Sequence, residues 1–124
     1  MYSTLSNTMG YLSTHVLDSA HGRPGKGIRV ELFAVTGPRT LLKTVYTNDD
    51  GRCDEPLLEK GDFKKGVYEL VFYTNDYFRL QGVELPEPAF LGEVVIRFGV
   101  ASAEEHYHVP LLIAPYSYST YRGS

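Results

Sequence analysis

Four histidines, His15, His21, His106 and His108, are the side chains of this sequence most suited to moving protons at neutral pH, because imidazole alone titrates there without perturbation. His106 and His108 stand two positions apart, so on a strand both rings would leave from one face. Such a pair could share a cation with a third ligand. No His, Cys, Asp or Glu cluster has the spacing of a known metal site, however, and Asp18 near His15 could as easily be a surface carboxylate as a ligand, so no metal is expected. His21 lies in the Ser19–Gly25 loop and reads as a solvated surface group. His15 sits on a segment whose one face runs Tyr11, Ser13, His15, Leu17, and its neighbours alone suggest an interface or hydrogen-bonded polar residue. Arg52 follows a turn and reads as a solvated charge, and His108, just before Val109-Pro110, reads as structural. Glycine patterns of the Gly-x-Ser-x-Gly, phosphate-loop and dinucleotide types are absent. Acyl-serine, nucleotide and nicotinamide chemistry therefore have no local support, and no cofactor is expected.

The elements that would position these residues are mostly strands. Ile28, Val30, Leu32 and Ala34 alternate with Arg29, Glu31 and Phe33, which predicts a strand with one buried face. Leu42 to Thr47 continues as a strand, and Asn48-Asp49-Asp50-Gly51 supplies turn chemistry before Arg52, suggesting a hairpin-like return. Val67 to Tyr73, with Tyr68, Leu70 and Phe72 on one face, predicts a central strand. Thr74-Asn75-Asp76 offers N-cap residues for a two-turn helix through Gln81, stopped by Gly82. Gly92 to Phe98, Glu105 to Ile113 and Tyr116 to Tyr121 add strands. Seven or eight short strands and one short helix predict an all-β, antiparallel β-sandwich in a single domain, residues 1–124.

Composition narrows the function classes. The net charge is −3 and the twelve Lys and Arg are scattered, which leaves no basic face for nucleic acid. No run approaches the roughly 20 apolar residues of a membrane span, and the first residues lack a signal-like apolar stretch, so no membrane and no export are expected. Cys53 is the only cysteine, which suits a reducing, cytoplasmic compartment. Ten Tyr and no Trp favour half-buried sheet surfaces and association.

Four segments together carry a more specific signal: Leu12-Ser13-Thr14-His15-Val16-Leu17-Asp18, Asp50-Gly51-Arg52, His106-Tyr107-His108-Val109-Pro110-Leu111-Leu112 and the closing Tyr118-Ser119-Thr120-Tyr121-Arg122-Gly123-Ser124. In type and order this set resembles the 5-hydroxyisourate hydrolases of the transthyretin-like family, across nearly the whole chain. Two details depart from the family pattern: Leu91-Gly92 stands where an aromatic and proline are frequent, and Ala114 where Ser is frequent. The resemblance implies a transthyretin-like sandwich that opens the ring of 5-hydroxyisourate in uric acid degradation. It also implies a homotetramer, a dimer of dimers, with sites between facing subunits. His15, Arg52, His108 and Ser124 are the positions it marks as catalytic. His15, Arg52, Tyr121, Arg122 and Gly123 are those it marks for substrate binding. The alternative it carries is a non-enzymatic carrier of a small aromatic ligand, against which His15 and the Tyr-Arg-Gly-Ser ending speak. The chemistry needs water to attack a ring carbonyl, with a histidine as base and arginine holding substrate oxygens.

Overall fold

The structure, a computed structural model, describes residues 10–123. Two sheets form the sandwich. The first contains β1 (Tyr11–Asp18), the two-residue strands β2 (Arg23–Pro24) and β5 (Leu58–Glu59), β8 (Tyr107–Ala114) and β9 (Ser117–Thr120), in the order β2-β1-β8-β9 with β5 also pairing β1. The second, ordered β4-β3-β6-β7, is built from β3 (Arg29–Val35), β4 (Arg39–Tyr46), β6 (Gly66–Phe72) and β7 (Val94–Val100). One ladder departs from the expected antiparallel pattern. β1 and β8 run parallel through seven paired residues, from Leu12↔Tyr107 to Asp18↔Ile113.

The core follows from period-two alternation. Leu12 and Val16 of β1 and Val109, Leu111 and Ile113 of β8 face Val30 and Leu32 of β3 and Leu70 and Phe72 of β6, all buried. As expected, β6 lies inside its sheet with Tyr68, Leu70 and Phe72 turned inward. The outward face of that sheet is less exposed than its sequence suggests. Glu31 is buried under the Arg29 guanidinium and the Tyr73 hydroxyl, and Glu69 between Arg39 and Arg97.

Helix α1 (Thr74–Leu80) begins earlier than expected, with Tyr73 as its N-cap and no side-chain capping bond. Its end is specified more tightly. Gly82, at φ 86°, donates its N–H to the Arg79 carbonyl, and Val83 donates to Phe78, the paired bonds of a Schellman motif. Thr74, Tyr77 and Phe78 bury the inner side of the helix.

Asp18 is not a surface carboxylate. It is fully buried at the end of β1, because the following turn and α1 close over it. Oδ1 accepts the N–H groups of Ala20 and His21, and Oδ2 accepts the Tyr77 hydroxyl at 2.8 Å and lies 2.6 Å from His21 Nδ1. His21 thus stays at the surface but clasps a buried acid. Burial alone would raise the Asp18 carboxyl; the bonds from His21 and Tyr77 outweigh it and hold the group below its ordinary value of 3.8. A lowered folded-state value contributes stability that is present above that ordinary value and lost as pH falls through the lowered one. Asp18→Asn should therefore cost about 1–3 kcal/mol at neutral pH, and the loss should shrink on acidification below the carboxylate range. Thermal melts of both proteins from neutral to strongly acidic pH check this; parallel curves would contradict it.

Candidate active site

The parallel ladder places the first cluster. Ser13 pairs with His108 and His15 with Pro110, while Leu12, Thr14 and Val16 fill the core from the other side of the strand. Ser13, His15 and His108 therefore share the outer face of the first sheet, half-buried. Ser13 Oγ lies 2.8 Å from His108 Nδ1.

Arg52 reaches the same face through the turn after β4. Asn48 Oδ1 accepts the N–H groups of Asp50 and Arg52, and Asn48 N–H donates to the Arg52 carbonyl at 2.7 Å. Gly51 takes φ 77°, and a Cβ there would run into the Val16 carbonyl oxygen. Only glycine suits both the conformation and the close approach. The Gly51 carbonyl accepts the Val16 N–H at 2.8 Å, which docks the turn on β1 and pairs His15 with Arg52. The chain does not return as a hairpin here; it crosses from the second sheet to the first. His15 Nε2 donates to the Asp50 carbonyl at 3.0 Å. A carbonyl only accepts, so this nitrogen carries a proton and Nδ1 is the free one in the neutral ring.

The tail brings Gly123 beside His108. Its N–H donates to the His108 carbonyl at 2.8 Å, and a Cβ at this position would stand 2.7 Å from His108 Cδ2 and 3.3 Å from Pro110 Cγ. Glycine is needed here for space rather than for dihedral freedom. The structure does not bring the Arg122 guanidinium to the histidines. It bonds Glu105 and the His106 carbonyl, both at 3.0 Å, and stacks over the Tyr107 ring at 4.0 Å, because adjacent strand residues face opposite ways. Tyr121 is 60% exposed, and Ser124 lies outside the described residues. His106 precedes β8, and its ring packs at 4.1 Å against Tyr11, which lies on the same outer face of β1 as Ser13 and His15.

Burial is the largest influence on His108, and the charges of Arg52 and His15 add to it; all three lower its pKa below 6.5. The ring is thereby held neutral at physiological pH, the form a base needs. A depression of about 240 Å³ is lined in part by Tyr11, Ser13, Arg52, Cys53 and Pro56; neither His15 nor His108 lines it. Two parts of this arrangement escape inspection of the sequence. Ser13 is recognisable only once β1 and β8 are known to pair in parallel, and the Asp50 carbonyl, as a backbone group, leaves no trace in residue type.

The profile of the HIUase/Transthyretin family matches residues 12–123. A relative named 5-hydroxyisourate hydrolase, from Pseudomonas aeruginosa, is 66% identical over 117 residues, covering 94% of this chain and 93% of the relative. Among solved structures, (S)-allantoin synthase superposes with a TM-score of 0.90 at 41% identity over 96% of this chain. The chain spans only 45% of that longer protein, whose name describes more than the matched part. Sea bream transthyretin in complex with thyroxine superposes with a TM-score of 0.80 at 26% identity, covering 90% of this chain and 93% of that one.

If burial and neighbouring charge set the His108 proton affinity as described, its imidazole should titrate below 6.5. Arg52→Ala should raise the midpoint toward that value while leaving it below, since burial remains. Side-chain NMR titration checks both, and an unmoved midpoint in the variant would contradict the electrostatic account.

Proposed function

The chain belongs to the HIUase/Transthyretin family, and we propose that it hydrolyses 5-hydroxyisourate to 2-oxo-4-hydroxy-4-carboxy-5-ureidoimidazoline in uric acid degradation. The observation that carries this reading is the convergence of His15, Arg52 and His108, distant in sequence, on one outer face. The substrate is a planar, polar ring whose amide-like C–N bond must be opened. Water attacks the ring carbonyl carbon; as the new C–O bond forms, His108 takes the water proton. The ring C–N bond then breaks, and His108 passes the proton it took from water to the departing nitrogen, while His15, through its free Nδ1, accepts a hydrogen bond that orients the reacting groups. A base so placed contributes roughly 10²–10⁴-fold in rate. Arg52 holds the substrate oxygen that gains negative charge, an interaction that strengthens toward the transition state.

The tail acts in two ways. Arg122, tied to Glu105 and stacked on Tyr107, anchors it, and Gly123 leaves room for the His108 ring. Tyr121, Gly123 and Ser124 complete the substrate's surroundings in this reading. Because the histidine face is open in a single chain and a domain this small seldom encloses a deep pocket, we place the working site between facing subunits of a homotetramer, a dimer of dimers. The lone Cys53 fits a reducing cytoplasm. The likeness to a thyroxine-bound transthyretin favours a second reading, a carrier of a small aromatic ligand at the same inter-subunit site. His15 and the Arg122-Gly123 tail packed against the His108 strand favour the enzyme.

Purified protein should speed the ultraviolet decay of 5-hydroxyisourate well beyond its spontaneous rate. His15→Ala, Arg52→Ala and His108→Ala should each lower kcat by roughly 10²-fold or more, whereas His21→Ala and His106→Ala should be mild. Light scattering should give a tetramer for all five. Equal decay with and without protein would overturn the enzymatic reading, and an active monomer would overturn the shared site.

A further inference from the structure

We propose that Ser13 is a positioning residue that holds His108 protonated on Nδ1, leaving the Nε2 lone pair as the base; the inference deepens, and rests on, the hydrolytic reading of this cluster. The contact is a 2.8 Å bond between strands whose residues lie 95 positions apart, and it is set by the Ser13↔His108 register of the parallel ladder. On the opposite edge of the ring, Cδ2 abuts Gly123, where not even a methyl group would fit. Tied at Nδ1 and hemmed in at Cδ2, the imidazole has no hydrogen-bond partner at Nε2 among the described residues.

A hydroxyl can donate or accept, so the direction of the Ser13 bond is decided by the surroundings. Among the described residues, the charged or titratable groups acting on this ring are Arg52 from the turn docked on β1 and His15 from β1 itself; the tail contributes only Gly123 against it. Arg52 and His15 lower the proton affinity of the whole ring, and with Nδ1–H given to Ser13 the neutral ring keeps its basic lone pair on Nε2. Ser13 Oγ then accepts from Nδ1–H, and it goes on accepting when Nε2 takes a proton from water, so the bond survives the transfer. His15 is held in the other sense, because the Asp50 carbonyl takes the proton on Nε2 and frees Nδ1. The two imidazoles thus present different nitrogens to whatever lies between them.

The test uses the intact protein with ¹⁵N-labelled histidine, read by long-range ¹H–¹⁵N correlation without substrate, for the parent, Ser13→Ala and Ser13→Thr. The parent should show His108 protonated on Nδ1. Ser13→Ala should lose that preference and titrate at lower pH, because the acceptor favouring the charged ring is gone. Its kcat for 5-hydroxyisourate should drop about 10–100-fold, the usual cost of losing a group that orients a functional histidine, with KM nearly unchanged. Ser13→Thr keeps the hydroxyl and should restore all three. A parent ring protonated on Nε2, or a tautomer and midpoint unmoved by Ser13→Ala, would overturn the proposal. Since the spectra need no turnover, a parent inert toward 5-hydroxyisourate would overturn the hydrolytic reading alone.

Discussion

The parallel ladder between β1 and β8 joins the two ends of the chain, and the site exists only through its register. Because side chains alternate along a strand, a slip of one residue would turn Leu12, Thr14, Val16 and Asp18 outward and drive Ser13 and His15 into the core. That slip is prevented by burial. Leu12, Val16, Leu111 and Ile113 are wholly or almost wholly sealed from water, and each is worth roughly 1.5–3 kcal/mol in its place. Thr14 adds a hydroxyl bond to the Val109 carbonyl at 2.7 Å. The inner face thus fixes the alignment, and the outer face receives Ser13, His15 and His108 side by side as a consequence.

Onto this ladder the remaining parts are fastened by backbone groups more than by side chains. The Asn48–Gly51 turn is held by its own asparagine and docked by the Gly51 carbonyl, which delivers both Arg52 and the Asp50 carbonyl to His15. The tail is fastened by the Gly123 N–H. At Gly51 and Gly123 the absence of a side chain lets backbone approach backbone or ring, so the two glycines belong to the site although neither has a functional group. Asp18 locks the far end of β1 to α1 through Tyr77, which keeps the strand from fraying where the ladder ends.

How much of this could be read from the sequence depends on the kind of constraint. Period-two alternation identified the inner faces of β3 and β6, because burial on one side of a sheet prints directly into residue type. The turn at Asn48–Gly51 was legible for the same reason, since a positive φ demands glycine, but its destination was not: turn chemistry records a local bend, while the crossing to β1 depends on a backbone bond to Val16. The burial of Asp18 was not legible because a carboxylate looks alike in sequence whether water or four donor groups surround it. The histidine pairs, too, required the fold. Resemblance to a family singled out His15, Arg52 and His108, whereas the bond between Ser13 and His108 and the outward turn of Arg122 toward Glu105 emerge only from strand pairing.

The account's central claim is that His15 and His108 act as one unit on one substrate, brought together by the β1–β8 register. A double-mutant cycle in kcat for 5-hydroxyisourate opening measures this directly. If both serve the same transition state, His15→Ala combined with His108→Ala should be slower than the worse single variant by only a few fold. Losses that multiply fully would show that the two imidazoles work independently and would contradict the account.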